Sequence, residues 1–553
     1  MKDSIQMFRA FGGFTAGKDI LWRMAGLTVF LLWTSPEKSF ANVYASTVRI
    51  NSMTNDVALP SGQGVAISYF LNEPASSGVT IVVKTAYRTV RTMTYPSGQG
   101  TVAGFNSVIW NGRDDFGQAV PDGIYFVDIT AASAGFNDWT QTSDDANPAA
   151  YVANGRGIAV NCNSNSLYYG RVYVANAAAG PDPVHNAGDA VGIVIANADG
   201  SFADDGFSDG GYPWSGNLFS PWKLEVASDD RVYVDDFAGS GVVVSFDPDV
   251  GSSSLRMVLR GDNYNSSPLL SGPAITGTGT NMQLWMADMA QNGLGVHRWS
   301  LKADGLVAMN DLGRTAVIAS PDADLNIDPF DVAVDSNGLI YTIQNRITSG
   351  DPNFRLFRFP EYFSLPETLA DWKTGSADDT MAGAHGIAVS RGGDYVAVAF
   401  RGVFTSSFQN GAARVFYASN GAPVATLTPG SAHEHRDVTW DNAGNLYAID
   451  NSDKVWRVYS PPGANSATTR AAQTIRVTGN PVPGPLLSAP ARTGAQFSFG
   501  FNGLTNVAYV VLESTNLVSW RPVATNISSA ALRQVSVPLV GAERVLYRIQ
   551  VGP

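Results

Sequence analysis

The sequence predicts an all-β protein built from a small antiparallel sandwich, a six-bladed β-propeller and a second small sandwich at the C-terminal end. Three observations carry this. Helical periodicity is almost absent after residue 46, where short alternating or β-branched runs are closed by Gly, Asn, Asp and Pro. The 553 residues include 56 Gly and 29 Pro, which suits strands and turns, while 44% hydrophobic and 11% aromatic content is enough for a large core. Finally, one phrase recurs, with its first apolar residue at Ile158, Leu224, Ile275, Val332, Ile387 and Val438, at intervals of roughly 50 to 66 residues. A repeat of that length with several strands is a sheet that cannot bury both faces alone, and radial packing of such sheets solves the problem.

Residues 1–45 read as an export signal. Lys2, Arg9, Lys18 and Arg23 precede the apolar run Met24 to Trp33, which is too short to span a bilayer. Small residues at Ser39 and Ala41 offer a cleavage site, with Val43 and Ala45 as the alternative. The mature protein is expected in the secreted or cell-envelope compartment, without a membrane span.

Residues 46–132 form the first module. Val65 to Leu71, Val79 to Lys84, Thr89 to Thr94, Ser107 to Trp110 and Gly123 to Thr130 read as strands, with Asn111-Gly112 and Pro121-Asp122-Gly123 as turns. Trp110 reads as a core anchor. Ile67-Ser-Tyr-Phe-Leu-Asn-Glu73, Asn106-Ser-Val-Ile-Trp-Asn-Gly-Arg-Asp114, Gly117 and Asp122-Gly-Ile-Tyr125 resemble the immunoglobulin-like module of flagellar hook-capping proteins, which also decorates many secreted bacterial proteins. The resemblance implies a structural or docking domain.

A linker over 133–149 leads to the repeat region, 150–478. Each unit pairs a first strand such as Gly157-Ile-Ala-Val160 or Asp331-Val-Ala-Val334 with a second such as Arg171-Val-Tyr-Val174 or Leu339-Ile-Tyr-Thr342. The phrasing resembles six-bladed NHL and gluconolactonase-like propellers. After a Pro-rich linker, 479–489, residues 490–553 form the last module. There, Glu513-Ser-Thr-Asn-Leu-Val-Ser-Trp520 resembles a short C-terminal β module of large secreted bacterial proteins.

Aligning the repeats makes Arg156, Trp222, Phe330, His385 and Arg436 equivalent, each two positions before the first apolar residue, at the mouth of the expected central channel. Two Arg and two aromatics there suit stacking on a sugar or peptide and pairing with its carboxylate, so these five are the candidate ligand-binding residues. The alternative for Trp222 and Phe330 is packing between blades. The resemblance to propeller lyases implies metal-holding His at this position. His385 matches, and with His433 and His435 it makes a candidate set for zinc. Solvated loop imidazoles are the competing reading. Calcium is a weaker expectation at Asp322-Ala-Asp-Leu-Asn-Ile-Asp328, which lacks the Gly and Glu of an EF-hand loop. Gly206-Phe-Ser-Asp-Gly210 spells G-x-S-x-G without the strand-to-helix turn a nucleophile elbow needs.

A formal charge of −12 and 15% charged residues exclude an extended basic nucleic-acid surface. The single cysteine, Cys162, excludes an intramolecular disulfide framework and reads as an inert core residue. The sequence therefore points to an exported binding or scaffold protein for a glycan, a peptide or another envelope protein, with no cofactor required. The second reading is a metal-dependent lactonase- or lyase-like enzyme at the central channel.

Overall fold

The computed structural model describes residues 42–551, apart from 181–189, 215–217, 238–241, 261–269, 289–294, 303, 308–314, 319–328, 346–353, 376–380, 405–407, 428–432, 481–485, 504–507, 517, 528–531 and 539–544. The apolar run at 24–33, the Asp322 to Asp328 loop and the Pro-rich residues 481–485 lie outside the described residues.

Six four-stranded antiparallel sheets dominate. The first four consist of Gly155–Val160, Val172–Asn176, Gly192–Ala196 and Phe202–Ser208; Leu224–Val226, Val232–Asp236, Val242–Phe246 and Arg256–Arg260; Leu270–Thr276, Gln283–Asp288, Gly295–Ser300 and Thr315–Ile318; and Pro329–Val334, Ile340–Gln344, Phe354–Phe359 and Trp372–Gly375. The fifth consists of Ala384–Val389, Tyr395–Phe404, Phe408–Tyr417 and Pro423–Leu427. His435–Trp440, Leu446–Asp450 and Val455–Ser460 make the sixth, completed by Thr140–Gln141 from upstream of the first sheet.

The first strand of each sheet touches that of the next in cyclic order, and the sixth returns to the first. Sequence explains why. In Val172-Tyr-Val-Ala-Asn176, every residue is buried: Val172 and Val174 face the sixth sheet, with Tyr447, Ile449 and Trp456, whereas Tyr173 and Ala175 face the second, with Leu224, Val232 and Phe246. Alternation that gives an ordinary sheet one wet face here supplies two dry ones. Comparable apolar layers fill the gaps between sheets two and three, three and four, four and five, and five and six. Six sheets in cyclic contact close a ring.

The N-terminal module holds a three-stranded sheet, Ala45–Ile50, Val65–Leu71 and Gly104–Trp110, facing a larger one built on Gly123–Phe136, Gly78–Lys84 and Thr89–Tyr95. Trp110 is fully buried against Tyr125, with its indole N–H donating to the Arg113 carbonyl at 2.9 Å, as a core anchor should. Two corrections to the sequence boundaries follow from pairing. The region 133–149 is not only a linker, because one strand runs on to Phe136 and Thr140–Gln141 closes the ring. Nor does the repeat region run to 478: Gly463–Arg470 pairs with Gly123–Phe136, and Ile475–Thr478 inserts between that strand and Val57–Pro60. Ile475 and Val477 thereby complete the N-terminal core.

The C-terminal residues form two three-stranded sheets, Leu486–Thr493, Gln496–Asn502 and Leu532–Pro538, and Arg521–Ile527, Ala508–Ser514 and Leu546–Val551. Phe499, Phe501, Tyr509, Val511, Val535 and Val537 are their shared core, the small sandwich expected.

Candidate functional site

The six residues aligned from sequence, Ile158, Leu224, Ile275, Val332, Ile387 and Val438, all line one cavity of about 100 Å³ on the ring axis. The inner strands approach so closely because alternate sheets carry glycine there. A Cβ on Gly157 would lie 2.6 Å from the Trp222 carbonyl oxygen, one on Gly272 1.6 Å from Asp331 Oδ1, and one on Gly386 2.2 Å from Asp437 Oδ1. The intervening sheets carry Lys223, Asp331 and Asp437, which meet on the axis. Lys223 Nζ donates to Asp437 Oδ1 at 2.6 Å and to the Arg436 carbonyl at 3.1 Å, and lies 3.3 Å from Asp331 Oδ2. The carboxylates also accept N–H bonds from Ile158 (2.9 Å, to Asp437) and Ile387 (3.2 Å, to Asp331). Burial pushes both carboxyls up, against the pull of Lys223.

Beside this triad lie the five residues predicted at the mouth, in one cluster. The Arg156 guanidinium sits 5.0 Å from the Trp222 ring centroid, Trp222 lies 5.2 Å from His385, and His385 lies 4.7 Å from Phe330. All five are buried. Trp222 and Phe330 join the apolar layer with Tyr341, Leu356 and Ile387, and the Trp222 indole donates to Ser271 Oγ at 3.0 Å. Packing between blades therefore accounts for both aromatics, and the polar chemistry belongs to the arginines.

Two further members were not visible to the repeat alignment. Arg401 Nε donates to Glu434 Oε1 at 2.8 Å, and Arg436 Nη2 pairs with the same carboxylate oxygen. Asn451 donates to Glu434 Oε2 at 2.9 Å. Two guanidinium groups thus share one carboxylate, and Arg156 lies near enough to feel its charge. Burial, then mutual repulsion, holds Arg436 well below the usual arginine range, and burial lowers Arg156 to about 10. Glu434 lies between two residues already flagged, His433 and His435. Arg401 comes from the long second strand of sheet five, where no repeat signal marks it.

The expected zinc set of His385, His433 and His435 is not a metal centre in this geometry. His385 Nδ1 lies 2.7 Å from the Arg436 carbonyl, which requires Nδ1–H as donor, and Nε2 then accepts from Arg436 Nη1 at 3.3 Å. Neither nitrogen has a lone pair left for a cation. Burial first, then Arg436 and Lys223, hold His385 well below the ordinary imidazole range, so the ring is neutral. His433 Nδ1 is instead 2.6 Å from Asp450 Oδ2. His435 is fully buried with both nitrogens unpaired, and burial lowers it to about 4. Among the described residues, His433, Asp450 and Asp453 alone bring three metal-ligating atoms together, but Arg457 already pairs with both aspartates.

Other sequence features resolve simply. Ser208 of the G-x-S-x-G spelling ends an outer strand and donates to the Val250 carbonyl at 2.7 Å, leaving no nucleophile elbow. Cys162 is a free thiol that burial pushes up, beside a second cavity of about 340 Å³ with Arg391 and Asp335. No helix among the described residues is long and apolar enough to cross a membrane.

Comparison with known proteins bears on part of the chain. Residues 54–135 match the family model of the FlgD Ig-like domain. No curated protein matches. Among solved structures, a glucose dehydrogenase is 12% identical, covering 58% of this chain and 98% of its own, with a TM-score of 0.35. The calcium structure of a Trichoderma reesei carbohydrate-active enzyme of family AA12 is 11% identical, covering 60% of this chain and 97% of its own, also with a TM-score of 0.35. Similarity at that level assigns no activity. What the comparisons establish is an FlgD-type immunoglobulin-like domain at residues 54–135, in a chain whose described residues are nearly all strand and turn.

Proposed function

We propose that this chain is an exported, non-catalytic binding protein, in which an NHL-like propeller takes a glycan or peptide ligand at the end of the ring where Arg156, Trp222, Phe330, His385 and Arg436 converge. The flanking sandwiches act as spacers or attachment modules. The observation that carries the reading is the polar cluster itself: three arginines, one carboxylate shared by two of them and a neutral histidine gather beside the axial triad, on sheets one, five and six. Such a cluster recognises a polar ligand without supplying a nucleophile, since His385 is committed to Arg436 at both nitrogens. The metal-dependent lactonase- or lyase-like reading loses His385 as a zinc ligand for the same reason, and among the described residues His385, His433 and His435 do not gather into one ligand set.

Export rests on the sequence of residues 1–41. Of the two cleavage sites, Ser39/Ala41 is favoured, because Asn42, Val43, Tyr44 and Ala45 are buried and cleavage after Ala45 would strip them from the core.

The test is a glycan and peptide array probed with the full chain from Asn42 onward. Arg436→Met is expected to keep the fold, by circular dichroism, and to lose at least tenfold in affinity for whatever ligand the array reveals. Undiminished binding by that variant moves the site elsewhere.

A further inference from the structure

Arg401 and Arg436 each pair with Glu434, whereas Arg156 makes no ion pair within the cluster. It is 3% exposed, and its Nε and Nη1 atoms are buried with no hydrogen-bond partner. Its planar face is covered by Trp222 at 5.0 Å and Phe219 at 5.9 Å, so the unsatisfied atoms lie in the plane of the group, where N–H donors point. The nearby carboxylate, Glu434, is already shared by Arg401 and Arg436. A desolvated cation without an acceptor is costly and persists where something is to be bound.

Resting on the ligand-binding reading above, we infer that Arg156 is the counter-ion for a carboxylate group of the ligand. The chain's own Glu434 supplies the template, a carboxylate gripped by two guanidinium groups in the same cluster. With both faces of the Trp222 region packed, there is no open aromatic platform, so recognition falls on the anionic group rather than on a stacked ring.

Thermal unfolding of the full chain from Asn42 tests this at fixed ionic strength, with sodium glucuronate, N-acetylglycine, glucose and sodium phosphate as probes. Glucuronate or N-acetylglycine at tens of millimolar is expected to raise the midpoint by about 1–2 °C, and glucose to leave it unchanged. Which of the two acids acts separates a sugar source from a peptide source. Arg156→Met, which keeps the aliphatic stem, is expected to unfold at or above the wild-type temperature and to lose the response. Arg156→Lys keeps the charge and is expected to retain a weaker one. A response to phosphate alone, no response to either acid, or an undiminished response in Arg156→Met overturns the inference. So does a fall of several degrees in that variant, because it would show that the guanidinium already has a partner. An array ligand bound equally by wild type and Arg156→Met overturns this inference while leaving the ligand reading intact, which fails only with Arg436→Met.

Discussion

Lys223 shows what a single residue does on the ring axis. It serves two buried carboxylates and a main-chain carbonyl from another sheet. Removing one partner of such a network leaves uncompensated charge, so Lys223→Met is expected to destabilise by about 3–5 kcal/mol in urea titration. A loss under 1 kcal/mol would mean that Asp331 and Asp437 hold themselves neutral without it. A different buried acid reports through pH. Asp441 is 1% exposed, and burial pushes its carboxyl up to about 7 despite hydrogen bonds from Asn445 and Tyr447. The folded state then holds a proton that the unfolded chain releases near 4, so this contribution is complete at low pH and vanishes as pH climbs through about 7. Asp441→Asn should therefore gain in melting temperature relative to wild type between pH 5 and pH 8. Parallel curves would show that Asp441 stays ionised when folded. At this scale sequence was informative about equivalence and blind to complementarity. The six repeat positions could be aligned because like residues recur, from Ile158 to Val438. The alternation of Gly157, Gly272 and Gly386 with Lys223, Asp331 and Asp437 carries no repeat signal, because a closed axis needs unlike partners.

At the scale of elements, the tightest constraint is the approach of adjacent inner strands. A methyl group on Gly157 would meet Trp222 O, Lys223 Cα and Leu224 N within 2.9 Å, all main-chain atoms that move only if a whole sheet moves. Gly157→Ala is thus expected to cost about 1–3 kcal/mol by overpacking, read from the urea midpoint. An unchanged midpoint would mean that the first two sheets are not locked at this point. The strands themselves were legible wherever apolar residues run together, as at the start of Val232–Asp236 or through Leu446–Asp450. Thr140–Gln141 and Gly463–Arg470 were not. Both are polar, and each is a strand only because a distant edge offers it hydrogen bonds, Tyr459 and Ser460 for the first and Gly123–Phe136 for the second. Pairing across more than 300 residues leaves no mark in a local window.

For the whole molecule, these distant pairings decide cooperativity. The chain enters the ring from the N-terminal sandwich and, after the sixth sheet, returns to finish that sandwich with Ile475–Thr478. The first described residues are fastened at the same seam. Asn42 O accepts from Asn445 Nδ2 at 2.8 Å, Val43 O from Asn465 Nδ2 at 2.8 Å, and Ala45 O from Thr469 Oγ1 at 2.7 Å, while Thr47 N donates to Tyr169 O at 2.9 Å. Tyr44 packs on Tyr169, 5.4 Å between centroids, next to Ala198 and Ala443 of the ring. Neither the sandwich nor the ring has a complete set of hydrogen bonds without the other, so both should melt in one calorimetric transition. A chain starting at Ser46 loses four buried residues from the seam and is expected to shift that transition down as a unit, by several degrees, relative to a chain starting at Asn42. Two resolved transitions, only one of which moves, would show that the sandwich and the ring fold independently and that the seam is merely a contact.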